Sequence, residues 1–263
     1  MLLFSVDGMH EVDLARWIAA HPFSTLAQLA RSGVGYGDAH TPTPSDSFPG
    51  LLALVTGGTP RSTGVYYGDS YDRTLFPPGS ECTGAPGTEV TYFEILEKDL
   101  TQLFGPIDPG NLPRRRAEDG ACLPVYPHEF LAVNTVFEVV RAAGGHTARS
   151  DKHPAYDLVN GPSGQGVEGL YTPEINSPIA NGGTVNGVDL SAARALCDGV
   201  TNSLPLKKVG DYTTCEPAVM AYDDVKVQAV LNQIGGRSAD GSRAAPVPEL
   251  FGMNFQEGSS LPS

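Results

Sequence analysis

The residues predict an α/β fold with a mainly parallel central sheet, flanked by helices on both faces and carrying long loop-rich insertions. Three observations predict it. The chain opens on a short apolar run, Leu2 to Val6, that ends at Asp7-Gly8, as a strand covered on both faces would. Strand-like and helix-like segments then alternate, the pattern of a parallel sheet with crossover helices. Glycines stand where those helices should stop, at Gly33, Gly57-Gly58, Gly144-Gly145 and Gly235-Gly236.

Taken in order, Val12 to Ala20 and Thr25 to Ser32 read as helices, and Val34 to His40 as a returning strand. The stretch Pro42-Thr43-Pro44-Ser45-Asp46-Ser47-Phe48-Pro49-Gly50 is punctuated by prolines, which bias Thr43 and Phe48 to extended backbone. Leu51 to Thr56 then gives one or two helical turns. Gly64 to Leu75 is aromatic and acidic, and Val90 to Leu103 is a helix within turn-rich sequence. The run Arg114-Arg115-Arg116 reads as a solvated loop face. Asn134 to Ala143 is an amphipathic helix, His146 to Ser150 a strand, Tyr222 to Ile234 the last helix and Glu249 to Phe255 the last strand. The expected organisation is one domain over 1–255, with loop-rich insertions at about 76–127 and 154–216 and a polar tail over 256–263.

Composition narrows the function. The 263 residues carry 17 Lys+Arg against 30 Asp+Glu, a net charge of −13. That balance argues against affinity for duplex nucleic acid or anionic lipid, both of which need a basic footprint. No apolar run approaches the ~20 residues that span a bilayer, and Met1 is not followed by the basic segment of a signal peptide. The four cysteines, Cys82, Cys122, Cys197 and Cys215, are not spaced as zinc pairs. Cys82–Cys122 and Cys197–Cys215 is the economical pairing of three possible ones, and it places the chain in an oxidising compartment; free thiols in a cytosolic protein are the alternative.

The candidate site centres on Ser47. A serine held where a rigid loop enters a helix has its hydroxyl near free backbone N–H groups, which suit an anion or oxyanion. The competing reading is that Ser45 or Ser47 only caps the helix. Asp7, at the carboxyl end of the first strand, sits where open α/β sheets bind ligands.

Phe4-Ser5-Val6-Asp7-Gly8, the run Ala39-His40-Thr41-Pro42-Thr43-Pro44-Ser45-Asp46-Ser47-Phe48-Pro49-Gly50, Leu54-Val55-Thr56-Gly57 and Ser62-Thr63-Gly64-Val65 together resemble the alkaline phosphatase superfamily, in its type I phosphodiesterase/nucleotide pyrophosphatase branch. Ser150-Asp151-Lys152-His153-Pro154-Ala155-Tyr156 looks like a subgroup signature. The resemblance implies an alkaline phosphatase-like fold, here C-terminally incomplete, and a phosphoric-ester hydrolase. Ser47 would attack phosphorus to give a covalent phospho-serine that water then hydrolyses, because serine needs activation to be a nucleophile. It implies two divalent metal ions, zinc first with manganese or magnesium as alternatives, with Asp7 and Ser47 among the ligands. It also implies a small phosphate ester or nucleotide as substrate and an extracellular or periplasmic location.

The chain departs from the family it resembles in three places. Thr63-Gly64 stands where the family pattern has His-Gly. Gly68-Asp69 stands where an Asn would help hold the phosphoryl oxygens. The remaining Asp and His ligands come from a C-terminal half that these residues do not supply. Of the histidines, His10 leads into a surface helix and reads as a non-ligand, and His153 reads as structural or substrate-side. Two ligands are too few for tight metal binding. The alternative function is therefore a non-catalytic relative that binds an anion or a protein partner. A sulfatase-like hydrolase ranks lower, because Ser47-Phe48-Pro49-Gly50-Leu51 lacks the Arg of the sulfatase motif.

Overall fold

The computed structural model describes residues 1–91, 96, 99, 102–174, 182–197, 212–213 and 215–256. The apolar opening forms β1 (Leu2–Val6). Two helices follow, α1 (Glu11–Ala20) and α2 (Thr25–Ser32), the second capped by Ser24, whose hydroxyl accepts from Ala27 N–H. Then come α3 (Ser47–Thr56) and the single turn α4 (Pro60–Thr63). Two antiparallel ribbons pair β2 (Asp69–Asp72) with β3 (Thr88–Thr91) and β4 (Arg114–Arg116) with β5 (Cys122–Pro124). Next are α5 (Val136–Ala142), β6 (Ala148–Ser150) and β7 (Gly169–Tyr171). A small hairpin, β8 (Thr184–Val185) with β9 (Val188–Asp189), leads to α6 (Ser191–Leu196). The long helix α7 (Glu216–Ile234) and β10 (Phe251–Phe255) complete the order.

The main sheet has four strands in the order β1-β10-β6-β7, and every pairing in it is parallel. The expected α/β class and mainly parallel sheet are what the chain adopts. On one side Phe251, Met253 and Ala148 pack with Val227 and Val230 of α7. Leu3, Leu170 and Leu250 pack instead into the largest core cluster, which holds Phe48, Leu51, Leu52 and Val55 of α3 and Phe137 of α5. All four strands therefore present their carboxyl ends, at Asp7, Gln256, Asp151 and Thr172, to one edge of the molecule.

Several expectations are corrected. The strand Leu2 to Val6 is not covered on both faces: β1 ends the row of four, and Leu2, Phe4 and Val6 stay 43%, 47% and 40% exposed. Val34 to His40 forms no strand; Gly35 and Gly37 break the run, and all seven residues are exposed, so no packing compensates the weak propensity. Phe48 is helical rather than extended, because Pro49 lies in the first turn of α3, where its missing N–H costs nothing. α3 is ten residues long, more than the one or two turns expected, and ends as expected at Gly57, with φ of +68°. Arg114 to Arg116 is a strand, not a loop: Arg115 pairs with Glu129 at 2.7 Å and Arg116 lies over the Phe76 ring. Val90 and Thr91, expected to open a helix, end β3, and most of the remainder of that helix lies outside the described residues, as does the tail from 257 onward.

Both disulfides form with the expected pairing, Cys82–Cys122 and Cys197–Cys215. They fit an oxidising compartment. Among the described residues no helix is long and apolar enough to cross a membrane.

Candidate active site

The sequence places Asp46 directly before the apolar helix, and Asp46 is the residue that caps it. Its Oδ1 accepts from Ser47 N–H at 2.8 Å and its Oδ2 from Gly68 N–H at 3.1 Å. Neither Ser45 nor Ser47 caps α3. Ser47 is the first helical residue, exposed, and its Oγ makes no hydrogen bond to a described residue. The expected set of free N–H groups is smaller than the sequence implied. Asp46 takes that of Ser47, Pro49 has none, and Gly50 donates to the Asp46 carbonyl at 2.9 Å, which leaves Phe48 N–H.

A cavity of about 380 Å³ opens in front of this turn, lined by Ser47, Phe48, Tyr67, Asp69, Lys152 and His153 among others. It lies at the carboxyl ends of the parallel strands, the edge where sheets of this class hold ligands. Gly68 and Asp69 line this cavity, so Asp69 shares the space with Ser47.

Asp7 directly follows β1, its N–H donating to the Phe255 carbonyl at 2.9 Å. Its carboxylate is engaged by an ammonium: Lys152 Nζ to Asp7 Oδ2 is 2.5 Å. Lys152 thus touches Asp7 and lines the cavity with Ser47, so it joins the two residues singled out by sequence. Nothing in the spacing of the chain pointed to Lys152. It lies inside the Ser150 to Tyr156 segment, and a basic residue two positions after a β-strand end was the available signal.

Lys152 stands on a buried polar layer. Arg149 and Asp151, both without solvent exposure, pair at 2.9 Å. Arg149 also donates to Ser5 Oγ at 3.1 Å, and Asn254 Nδ2 donates to the same hydroxyl at 3.1 Å. Lys152 N–H donates to Asp151 Oδ1 at 3.0 Å. From α7 the Tyr222 hydroxyl sits against the carbonyls of Lys152 and Pro173, at 2.5 and 2.6 Å. Burial first, then the carboxylates of Glu174, Asp151 and Asp223, hold that phenol well above its ordinary pKa. It therefore remains a donor. Lys226 is fully buried below it, bonded to Asp223 at 2.8 Å and to Asn254 carbonyl at 2.7 Å, with its ammonium over the Tyr222 ring. Burial lowers its pKa, and Asp223 opposes that shift.

His153 is buried between rings, edge-on to Phe48 at 6.3 Å and to Tyr156 at 4.9 Å. That placement is consistent with packing and with lining the cavity. His10 is exposed at the start of α1 and bonds Asp13.

The donors present among the described residues do not fit a divalent ion. Among the described residues no group of three or more His, Cys, Asp or Glu is placed to hold one, and Asp7 is already matched by a lysine. Asp7 and Ser47 alone do not make a metal centre.

Neither a curated protein nor a solved structure matches the chain. Asp7, Ser47 and Asp69 all lie within residues 1–98, and that segment matches the family model described as type I phosphodiesterase / nucleotide pyrophosphatase, as the N-terminal portion of that alkaline phosphatase superfamily branch would.

Proposed function

We propose that the chain is a phosphoric-ester hydrolase in which Ser47 is the nucleophile. One observation carries the reading: an exposed serine hydroxyl, relieved of capping by Asp46, opens on a cavity at the carboxyl ends of the strands within the family-matched segment. Ser47 Oγ would form a bond to phosphorus while the ester oxygen leaves as an alcohol. Water would then cleave the phospho-serine and restore the hydroxyl. Phe48 N–H is the backbone donor at hand for a phosphoryl oxygen. A small phosphate ester or nucleotide matches a cavity of this size. The paired cysteines support an extracellular or periplasmic setting.

The family's divalent ions, zinc or manganese or magnesium, would need ligands beyond Asp7 and Ser47. The described residues hold no base in contact with Ser47 Oγ. The 263-residue chain should therefore turn over aryl phosphate mono- and diesters far below the ~10 per second of a typical enzyme. The test is a chromogenic ester assay of wild type and Ser47→Ala, paired with mass analysis of the Ser47 peptide. Loss of turnover and of a phosphoryl adduct in the variant is the expected result; equal turnover removes Ser47 from the mechanism. A second reading, an anion binder without turnover, is favoured by the Asp7–Lys152 pair.

A further inference from the structure

We propose that Lys152 is the resident cation of this cavity and receives the anionic group of the ligand, with no divalent ion required for binding. The inference rests on the reading that the cavity takes a phosphate-type oxyanion, and adds to it the group that holds the charge. Lys152 is the ammonium among the residues lining the cavity, beside the His153 imidazole, and the carboxylates there are those of Asp46 and Asp69. Asp46 is committed to the N–H groups of Ser47 and Gly68. Without Lys152 the two carboxylates would disfavour an anion in the cavity. An ammonium has three donors, and Asp7 Oδ2 takes one of them. Its own backbone is held on both sides, the N–H donating to Asp151 Oδ1 and the carbonyl accepting from the Tyr222 hydroxyl, so the charge is delivered from a rigid base. Asp7 then has a role different from that of a metal ligand. It is the anion that Lys152 keeps while the cavity is empty and shares with, or yields to, an incoming phosphoryl oxygen.

This arrangement makes a prediction of opposite sign to a metal site. Inorganic phosphate is titrated into the 263-residue chain by calorimetry in excess EDTA. Saturable binding is expected, weakened about tenfold or more in Lys152→Met, as for loss of one charge-assisted contact. It should be largely kept in Lys152→Arg. Asp7→Asn should tighten it several-fold, because the ammonium loses its competitor. Binding that appears only with added zinc, manganese or magnesium, or that weakens in Asp7→Asn, overturns the proposal. So does the absence of saturable phosphate binding in EDTA. Should Lys152→Met fail to fold, the sign of the Asp7→Asn effect decides alone. The hydrolase reading fails separately: Lys152-dependent phosphate binding without ester turnover removes the hydrolysis and leaves this inference standing. Turnover with phosphate binding indifferent to Lys152 does the reverse.

Discussion

Asp46 decides what Ser47 can be. By satisfying the first N–H of α3 it leaves the serine hydroxyl uncommitted, and by reaching Gly68 it closes the loop against β2. Asp46→Ala should lower stability by about 1 kcal/mol, the ordinary worth of a helix cap, read from urea unfolding. It should also reduce any turnover, because the loop loses its tether. A second residue-scale pair lies away from the cavity: His128 Nδ1 and Asp157 Oδ2 are 2.6 Å apart. The hydrogen bond to Asp157 raises the His128 pKa, with desolvation working against it. A raised folded-state value means stability that is complete below the unfolded imidazole pKa of ~6.5 and lost as pH rises through the folded one. Asp157→Asn should flatten the stability profile across that window, measured by unfolding at a series of pH values. An unchanged profile would show that the pair is not coupled to folding.

At the scale of elements, β10 is the strand that binds the sheet together, lying between β1 and β6. Its Gly252 faces Leu3, and a Cβ there would fall 1.8 Å from the Leu3 carbonyl oxygen. Gly252→Ala should cost about 3 kcal/mol or more, at the upper end for an overpacked site, visible as a lower urea midpoint; a neutral effect would mean that β1 and β10 part easily. Most elements were legible in the sequence: the α2 and α3 boundaries at Gly33 and Gly57, α5 before Gly144, and strands near 148–150 and 251–255. The strand expected at 34–40 was not, because propensity without a partner surface does not fix a strand. The start of α7 was missed by six residues; Pro217 sits in its first turn, where it is tolerated.

Across the whole molecule, few internal charges are left to chance. Arg149 with Asp151 and Lys226 with Asp223 lie under the strand ends, each ammonium or guanidinium with further carbonyl or hydroxyl partners. Removing one partner strands the other, so Asp151→Ala should destabilise by about 3–5 kcal/mol and loosen Lys152 at the same time. Two disulfides span separations of 40 and 18 residues. Constraint of the unfolded chain makes them worth about 4 and about 3 kcal/mol in the chain-entropy picture. Reduction should lower the melting temperature, and a transition indifferent to reductant would contradict that estimate.

The residues alone determined the alternation of helix and strand, the cysteine pairing that was expected, and the choice of Asp7 and Ser47 as candidates, since periodicity, turn residues and local motifs are written along the chain. Folding alone decided which strand became the edge, which side chain capped α3, and that a lysine 145 positions from Asp7 would reach it. Those outcomes depend on strand order and on burial, and neither is a property of any local window of sequence.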